Sequence, residues 1–277
     1  MAKRDRAGAL AVQPCQGYLS PMAYEQIVCE REGTVATVRL NRPEKLNAFT
    51  FRMLAEMNAA LDEVLDDRLR VLVLTGTGRA FSAGDDLGGM GGVDPAEDIR
   101  RGHHRIIRRL RQLRIPVVAV LNGFTLGAGF DLALACDFRI AAREAELGDV
   151  RSTRAMCSMS GAAYWLPRIV GVARATEILL LGERLSAERA LELGLVNRVV
   201  PLAELDTAVT ALVDRLLELP TGALAAQKAC LEFGLHHDLS AALENEISEL
   251  IGCFALTDWR EAIQAFAERR SPRFTGR

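Results

Sequence analysis

An α/β fold carrying a helical appendage is what the sequence predicts, and three observations predict it. Strand-like runs alternate with helical spacing over roughly the first two-thirds of the 277 residues. Helical spacing alone fills the last third. One design also occurs twice, at 71–86 and 117–131: an apolar strand breaks at a glycine-rich turn that leads into a helix.

Taken in order, residues 24–30 and 35–40 (VATVRL) read as strands joined by a turn at Gly33. A polar stretch at 41–45 interrupts. The spacing of Phe51, Leu54, Met57, Leu61, Val64 and Leu65 then predicts a helix within 47–66. RVLVLT (70–75) is a buried strand, and after a glycine break comes AFSAGDDL (80–87). Residues 88–94 hold four glycines and read as a mobile loop. An amphipathic helix is predicted over 95–114, with Ile99, His103, Ile106, Ile107, Leu110 and Leu113 on one side. His103 and His104 are expected at its surface or at an interface. After the strand at 117–121 and its turn, 138–142 returns as a strand, 147–155 is polar and irregular, and 160–170 is helical up to Gly171. Further helices are expected at 172–181, 186–193, 205–219, 222–235, 239–256 and 259–269, with a short strand at 197–200. The chain divides into a flexible extension (1–22), a core (23–204) and a C-terminal helical region (205–277).

Composition narrows the function. The balance is 49% apolar and 25% charged, with a net charge of -2, ordinary for a soluble globular chain and no reason to expect nucleic acid or a membrane surface as partner. The six cysteines (15, 29, 136, 157, 230, 253) form no CxxC pair. They fit reduced thiols in the cytoplasm better than a zinc site or a disulfide framework, so no metal is expected. No apolar run is long enough to span a bilayer. The glycines match neither GxGxxG nor a phosphate-cradling GK[ST] pattern.

The turn in LNGFTLGAGFDLALACD (121–137) has a specific capability. A glycine turn at a helix N-terminus leaves backbone N–H groups without intrahelical partners, and the helix dipole adds positive charge. Such a place suits an oxygen that becomes anionic during reaction. It serves equally as a plain helix start whose glycines permit close packing. Two such turns at one sheet edge can supply one N–H each to a single oxygen.

Five motifs, NRPEKLNAF (41–49), AFSAGDDL (80–87), NGFTLGAGFDLALACDFRIA (122–141), GERLSAERALELGLVNRVVP (182–201) and FAERRSPRF (266–274), resemble the enoyl-CoA hydratase/isomerase family, the crotonase superfamily, in family order. The resemblance covers the chain from about Tyr24 onward. It implies a spiral of ββα units, a helical C-terminal region that drives assembly into a homotrimer or a dimer of trimers, and a CoA-thioester substrate. CoA is part of that substrate, and no further cofactor is implied. By position, the family's two thioester-oxygen donors fall on the backbone N–H groups of Asp85 and Ala128, with Ala128 replacing a family glycine. Ala83 falls where the adenine of CoA is held, and Lys45, Leu46 and Asn47 where a loop borders the pantetheine and nucleotide. Phe266 and Arg269 fall where a neighbouring subunit's tail closes the site.

The chain departs from the family at its two water-activating glutamates. Asp131 stands at the first position and Arg151 at the second. A guanidinium is always protonated and cannot act as a base. The resemblance therefore leaves three readings. In the first, Asp131 is the main proton-transfer group, helped by Asp149, Asp85 or Asp86, and the enzyme still hydrates or isomerises an enoyl-CoA, as a hydratase-type lyase first of all. Alternatively, Arg151 holds a substrate carboxylate for decarboxylation, hydrolysis or ring chemistry. In the third, the chain binds acyl-CoA without turnover and Arg151 with Asp131 is a buried ion pair. Cys157, Ser158 and Ser160 are expected to line the acyl chamber or cap a helix, and Tyr164 and Trp165 to pack.

Overall fold

The computed structural model describes residues 24–66, 68–89 and 94–276. The expected N-terminal extension and the centre of the glycine-rich loop lie outside the described residues.

The chain opens with a hairpin, β1 (Ile27–Glu32) and β2 (Val35–Leu40), turning at Gly33. Helix α1 (Phe51–Val64) follows, its first turn capped by the Thr50 side chain, which accepts from Met53 N–H. Next come β3 (Val71–Gly76) and the short β4 (Ala80–Ser82). The predicted helix at 95–114 is α2 (Pro95–Ile99), a π-helical turn (Arg100–His104) and α3 (Arg105–Gln112) in continuous succession. The second strand–turn–helix unit is β5 (Val117–Leu121), β6 (Phe124–Leu126) and α4 (Ala128–Leu134). Then follow β7 (Phe138–Ala142), β8 (Glu146–Gly148) and α5 (Ala162–Leu181). Inside α5, Gly171 has φ 76° and breaks the helical path where the sequence predicts the stop. The remainder is β9 (Leu185–Ser186), α6 (Ala187–Glu192), β10 (Arg198–Val200), α7 (Leu205–Leu217), α8 (Thr221–Gly234), α9 (Leu239–Phe254) and α10 (Thr257–Glu268).

Two sheets result. The larger has the order β1-β2-β3-β5-β7-β10, antiparallel at β1–β2 and parallel thereafter. Its central strands are buried on both faces, which is why they read as unbroken apolar runs. Alternation divides their side chains between two cores. Leu72, Leu74, Val117, Ala119 and Leu121 join the main core with α1, α3 and α4. Val71, Val73, Val118 and Val120 meet Leu205, Ala208, Val213 and Leu216 of α7 on the other face. The first helix of the expected C-terminal region thus covers the back of the sheet.

The second sheet, in the order β4-β6-β8-β9, has strands of two or three residues. Three strands of the first sheet continue into short strands of the second: β3 into β4, β5 into β6, β7 into β8. This is the repeated ββα turn of the expected spiral. It also corrects one expectation, since 146–148 is a strand and not part of an irregular stretch. Three residues are too few for an alternating pattern to register in sequence.

Candidate active site

The two glycine turns lie against each other. Gly84 (φ +96°) ends the first, and a methyl group placed on it would sit 3.0 Å from Leu126 O and 3.4 Å from Ala128 N. Only glycine meets both the positive φ and this closeness. Gly127, with φ +54°, is held by its N–H donating to Gly148 O (2.9 Å). Ala128 begins α4, so its N–H has no acceptor within the helix. The bridge between Phe49 and Asp85 is made by Phe49 N–H donating to Gly84 O (2.8 Å) and Asp86 N–H donating to Phe49 O (2.9 Å). Among the described residues neither the Asp85 nor the Ala128 N–H has a hydrogen-bond acceptor.

A cavity of about 230 Å³ opens beside the first turn, with Thr50, Arg52, Asp85, Asp86 and His103 as polar lining and Phe49, Leu54 and Met159 among the apolar lining. A much smaller void, about 10 Å³, continues past Phe49, Leu54 and His103 to Ala128 and Leu132. His103 therefore stands between the two amide-bearing residues.

That placement corrects the expectation for His103. It is buried, not at the helix surface, and its Nε2 lies 2.7 Å from Asp85 Oδ1, both side chains being 8% exposed. The ring of Phe49 meets the imidazole edge-on at 5.3 Å. The π turn carries the histidine inward, and Gly102 beside it leaves room for Leu54 of α1, whose Cδ1 would be 2.8 Å from an added methyl. The sequence signal was there: His103 lies in the apolar stripe of its helix. His104 is half-buried, with Nε2 2.8 Å from Met159 O, which ties the π turn to the far wall of the cavity.

Asp131, Arg151 and Asp149 form a sealed cluster. Asp131 is 0% exposed. Its Oδ2 accepts from Arg151 Nη1 (2.7 Å) and its Oδ1 from the Ala162 N–H (2.7 Å) at the start of α5. Arg151 turns its fork to Asp149, with Nε to Oδ1 and Nη2 to Oδ2 both at 2.7 Å. Every guanidinium nitrogen thus donates to a carboxylate. The cluster holds one cation for two carboxylates. The bidentate pair with Asp149 and the bond to Asp131 hold Arg151 in its charged form, above its ordinary range despite its burial. Asp131, which gets the single remaining bond, is pushed upward by burial, and neither Arg151 nor the Ala162 N–H cancels that. The stem of Arg151 lies against the Gly127 turn, its Cγ 4.0 Å from where a Gly127 methyl would be.

The other expected residues are scattered around this centre. Ala83 N–H donates to Leu46 O (2.9 Å), which brings the Lys45–Asn47 loop to the first turn. Leu46 and Asn47 take left-handed φ values of 50° and 55° there. Asn47 is buried, donating to Thr77 O and Ala80 O and accepting from Arg42 N–H, so its side chain fastens the loop. Lys45 is exposed. Asp86 pairs with Arg42 at 3.1 Å. Phe266 is 85% exposed and Arg269 is exposed at the end of α10. Cys157 is exposed, Ser158 Oγ accepts from Ala163 N–H (3.4 Å) near the start of α5, and Ser160 is buried. Trp165 packs in the main core with Tyr164 edge-on to it.

Residues 30–277 match the family model described as enoyl-CoA hydratase/isomerase. The chain belongs to the enoyl-CoA hydratase/isomerase family. It is 37% identical over 260 residues to a probable enoyl-CoA hydratase of Rhodobacter capsulatus, covering 92% of this chain and 100% of the relative. It is 38% identical over 262 residues to the 1,2-epoxyphenylacetyl-CoA isomerase of Escherichia coli, covering 91% and 99%. The crystal structure of an enoyl-CoA hydratase from Bacillus anthracis superposes with a TM-score of 0.85 at 34% identity, over 91% of this chain and 100% of that one. The chain has the crotonase fold and is an enoyl-CoA hydratase/isomerase-like enzyme acting on acyl-CoA. No helix among the described residues is long and apolar enough to cross a membrane.

Proposed function

We propose that this enzyme holds the thioester oxygen of an unsaturated acyl-CoA between the N–H groups of Asp85 and Ala128, and stabilises the enolate that forms when a carbon-bound proton is removed. The observation that carries this reading is the stacking of the two turns. A methyl on Gly84 would be 3.4 Å from Ala128 N, and both amides lack an acceptor among the described residues. Donors fixed before reaction stabilise developing charge without reorganisation. The Lys45–Asn47 loop and Ala83 border the CoA moiety in this reading, and their mutual hydrogen bond supports it.

The acyl chemistry follows from what is free to react. Two-carboxylate hydration requires two accessible acids around one water. Here Asp131 is capped by Arg151 and the start of α5, so its expected role as the main proton-transfer group gains no support from the geometry. A substrate carboxylate finds no free nitrogen on Arg151, which weighs against the decarboxylase and hydrolase readings. Proton relocation within the acyl chain is the better fit to the groups left free. Homotrimeric assembly belongs to the same reading. The exposed Leu239, Leu243, Ile247 and Leu250 of α9, with Phe254, Ile263 and Phe266 further on, support a subunit contact there.

The test is Ala128→Pro. Proline is accommodated at the first position of a helix; it removes the N–H and sets its Cδ in the same space, so it closes this half of the proposed hole. With the circular dichroism spectrum unchanged, turnover of a 2- or 3-enoyl-CoA is expected to fall about 10²–10³-fold, the usual cost of losing one such donor. Undiminished turnover removes Ala128 from the mechanism. A wild-type protein that binds hexanoyl-CoA but leaves every enoyl-CoA unchanged is a binding protein.

A further inference from the structure

We propose that His103, held by the Asp85 carboxylate, is the catalytic base and acid of this site, moving a proton between C2 and C4 of a 3-enoyl thioester. The inference rests on the oxyanion reading above and goes beyond it by naming the group that carries the proton and the class of substrate that needs it.

Three features converge on His103. It is a buried histidine whose ring lines both the main cavity and the small void that reaches Ala128. Its Nε2 lies 2.7 Å from Asp85 Oδ1. An ionised carboxylate only accepts, so this bond fixes the tautomer with the proton on Nε2 and leaves the Nδ1 lone pair as the basic site. Among the described residues Nδ1 has no partner. Asp85 also joins the two halves of the site: its side chain orients the imidazole while its own N–H faces the thioester oxygen. A base and an oxyanion donor tied to one residue keep a fixed spacing, as proton abstraction next to a carbonyl requires.

The contrast with the Asp131 cluster supports the assignment. There each carboxylate is bound to the guanidinium, and Asp131 is 0% exposed. At Asp85 and His103 one nitrogen is left over, and the pair faces the cavity. The cavity beside the pair is lined by Phe49, Phe51, Leu54, Pro95, Ile99 and Met159, with Thr50, Arg52 and Asp86 as its other polar groups.

The step balances with no added reagent. The C2–H bond breaks and its proton goes to Nδ1 of His103, while the electron pair moves to the thioester oxygen held by the two amides. The imidazolium is stabilised by Asp85. The enolate electrons then return through the conjugated system, the proton passes from Nδ1 to C4, and the double bond moves from C3–C4 to C2–C3. Nothing is oxidised or reduced.

The experiment uses trans-3-hexenoyl-CoA as substrate and hexanoyl-CoA as a non-reacting ligand, with the full-length protein. Wild type is expected to raise the conjugated-enone absorbance, and to exchange C2 protons of the substrate with D2O. His103→Gln should lower kcat for both by about 10²–10⁴-fold, the usual range for losing a general base. Hexanoyl-CoA binding should stay within about threefold, which also reports an intact fold. Asp85→Asn, which keeps the backbone amide, should lower kcat while hexanoyl-CoA still binds. The double variant should be no slower than His103→Gln alone, because the two act as one unit. If His103→Gln does not fold, the Asp85→Asn result decides by the same criterion. A His103→Gln enzyme within tenfold of wild-type kcat overturns the proposal, and if Ala128→Pro is still inactive the oxyanion reading survives it. A wild-type protein that binds hexanoyl-CoA yet neither isomerises the substrate nor exchanges its protons overturns both.

Discussion

Two groupings of a carboxylate with a nitrogen side chain lie within reach of the same helix start, and they are built to opposite ends. In the Asp131–Arg151–Asp149 cluster the guanidinium nitrogens all donate to carboxylates, the helix N–H of Ala162 is used as well, and Asp131 is sealed from solvent. In the Asp85–His103 pair a single hydrogen bond joins two groups that face a cavity, and one ring nitrogen is left over. The resemblance in sequence leads one to expect the chemistry at the first grouping, where it would place the family's glutamates. Hydrogen-bonding capacity favours the second. A group that already meets its partners in the resting protein must break a bond before it can take a proton, whereas a positioned base with an open lone pair need not.

Removing the cation should separate the two groupings most sharply. Arg151→Met leaves Asp131 and Asp149 buried together without a counter-charge, and breaking a buried pair in this way costs about 3–5 kcal/mol. In a chain of this size each kcal/mol moves the melting temperature by about 2–4 °C, so a fall of about 6–20 °C is expected. The pH dependence has a defined sign. Without the guanidinium, burial and mutual repulsion raise the folded-state pKa of the two carboxylates above the unfolded value near 3.9. The loss is therefore smallest around pH 4–5, where one carboxyl can protonate, and grows as pH rises toward 8. Thermal melts of wild type and variant across that range check it. A loss that is small and independent of pH would mean the cluster is hydrated rather than sealed.

How much of this was legible in the sequence depends on chain length and on partners. The long strands and most helices were readable, because runs such as VLVLT and VVAVL and the α1 stripe carry their period in five or more residues. The strands of the second sheet were not, since Ala80–Ser82 and Phe124–Leu126 take their conformation from pairing with each other. The turn glycines and the amides beside them were visible as a pattern, but only Gly84 packed against Ala128 brings the turns together. The ion pair of Arg151 with Asp131 is among the readings the sequence supports, and the structure forms it. The two bonds from the Arg151 guanidinium to Asp149 are not visible in sequence, because residues two apart in an irregular segment have no fixed relation. His103 stands in the apolar stripe, and the sequence alone leads one to expect it at the surface or at an interface. An imidazole in such a stripe has a meaning only once a carboxylate 18 residues away is known to meet it.

Asp131→Asn should have the smaller effect, and it bears directly on which grouping does chemistry. The substitution keeps the shape and an oxygen to accept from Ala162 N–H or Arg151, and it leaves Arg151 and Asp149 as a neutral bidentate pair. Burial raises Asp131 in the folded protein, so its charged form subtracts stability above the unfolded pKa, and that penalty grows as pH rises toward the folded value. A neutral amide has no such penalty. Its absence offsets much of the charge-assisted bond that is lost, and the melting temperature at pH 7 is expected within about 4 °C of wild type. The difference between the two proteins should shift in favour of the variant between pH 4 and pH 7, which paired melts in that window would detect. Turnover of trans-3-hexenoyl-CoA should stay within about tenfold, because a residue that only backs the Ala128 turn acts through small displacements. A loss of about 10³-fold with hexanoyl-CoA binding intact would return the proton to Asp131 and make the sealed cluster the reactive one.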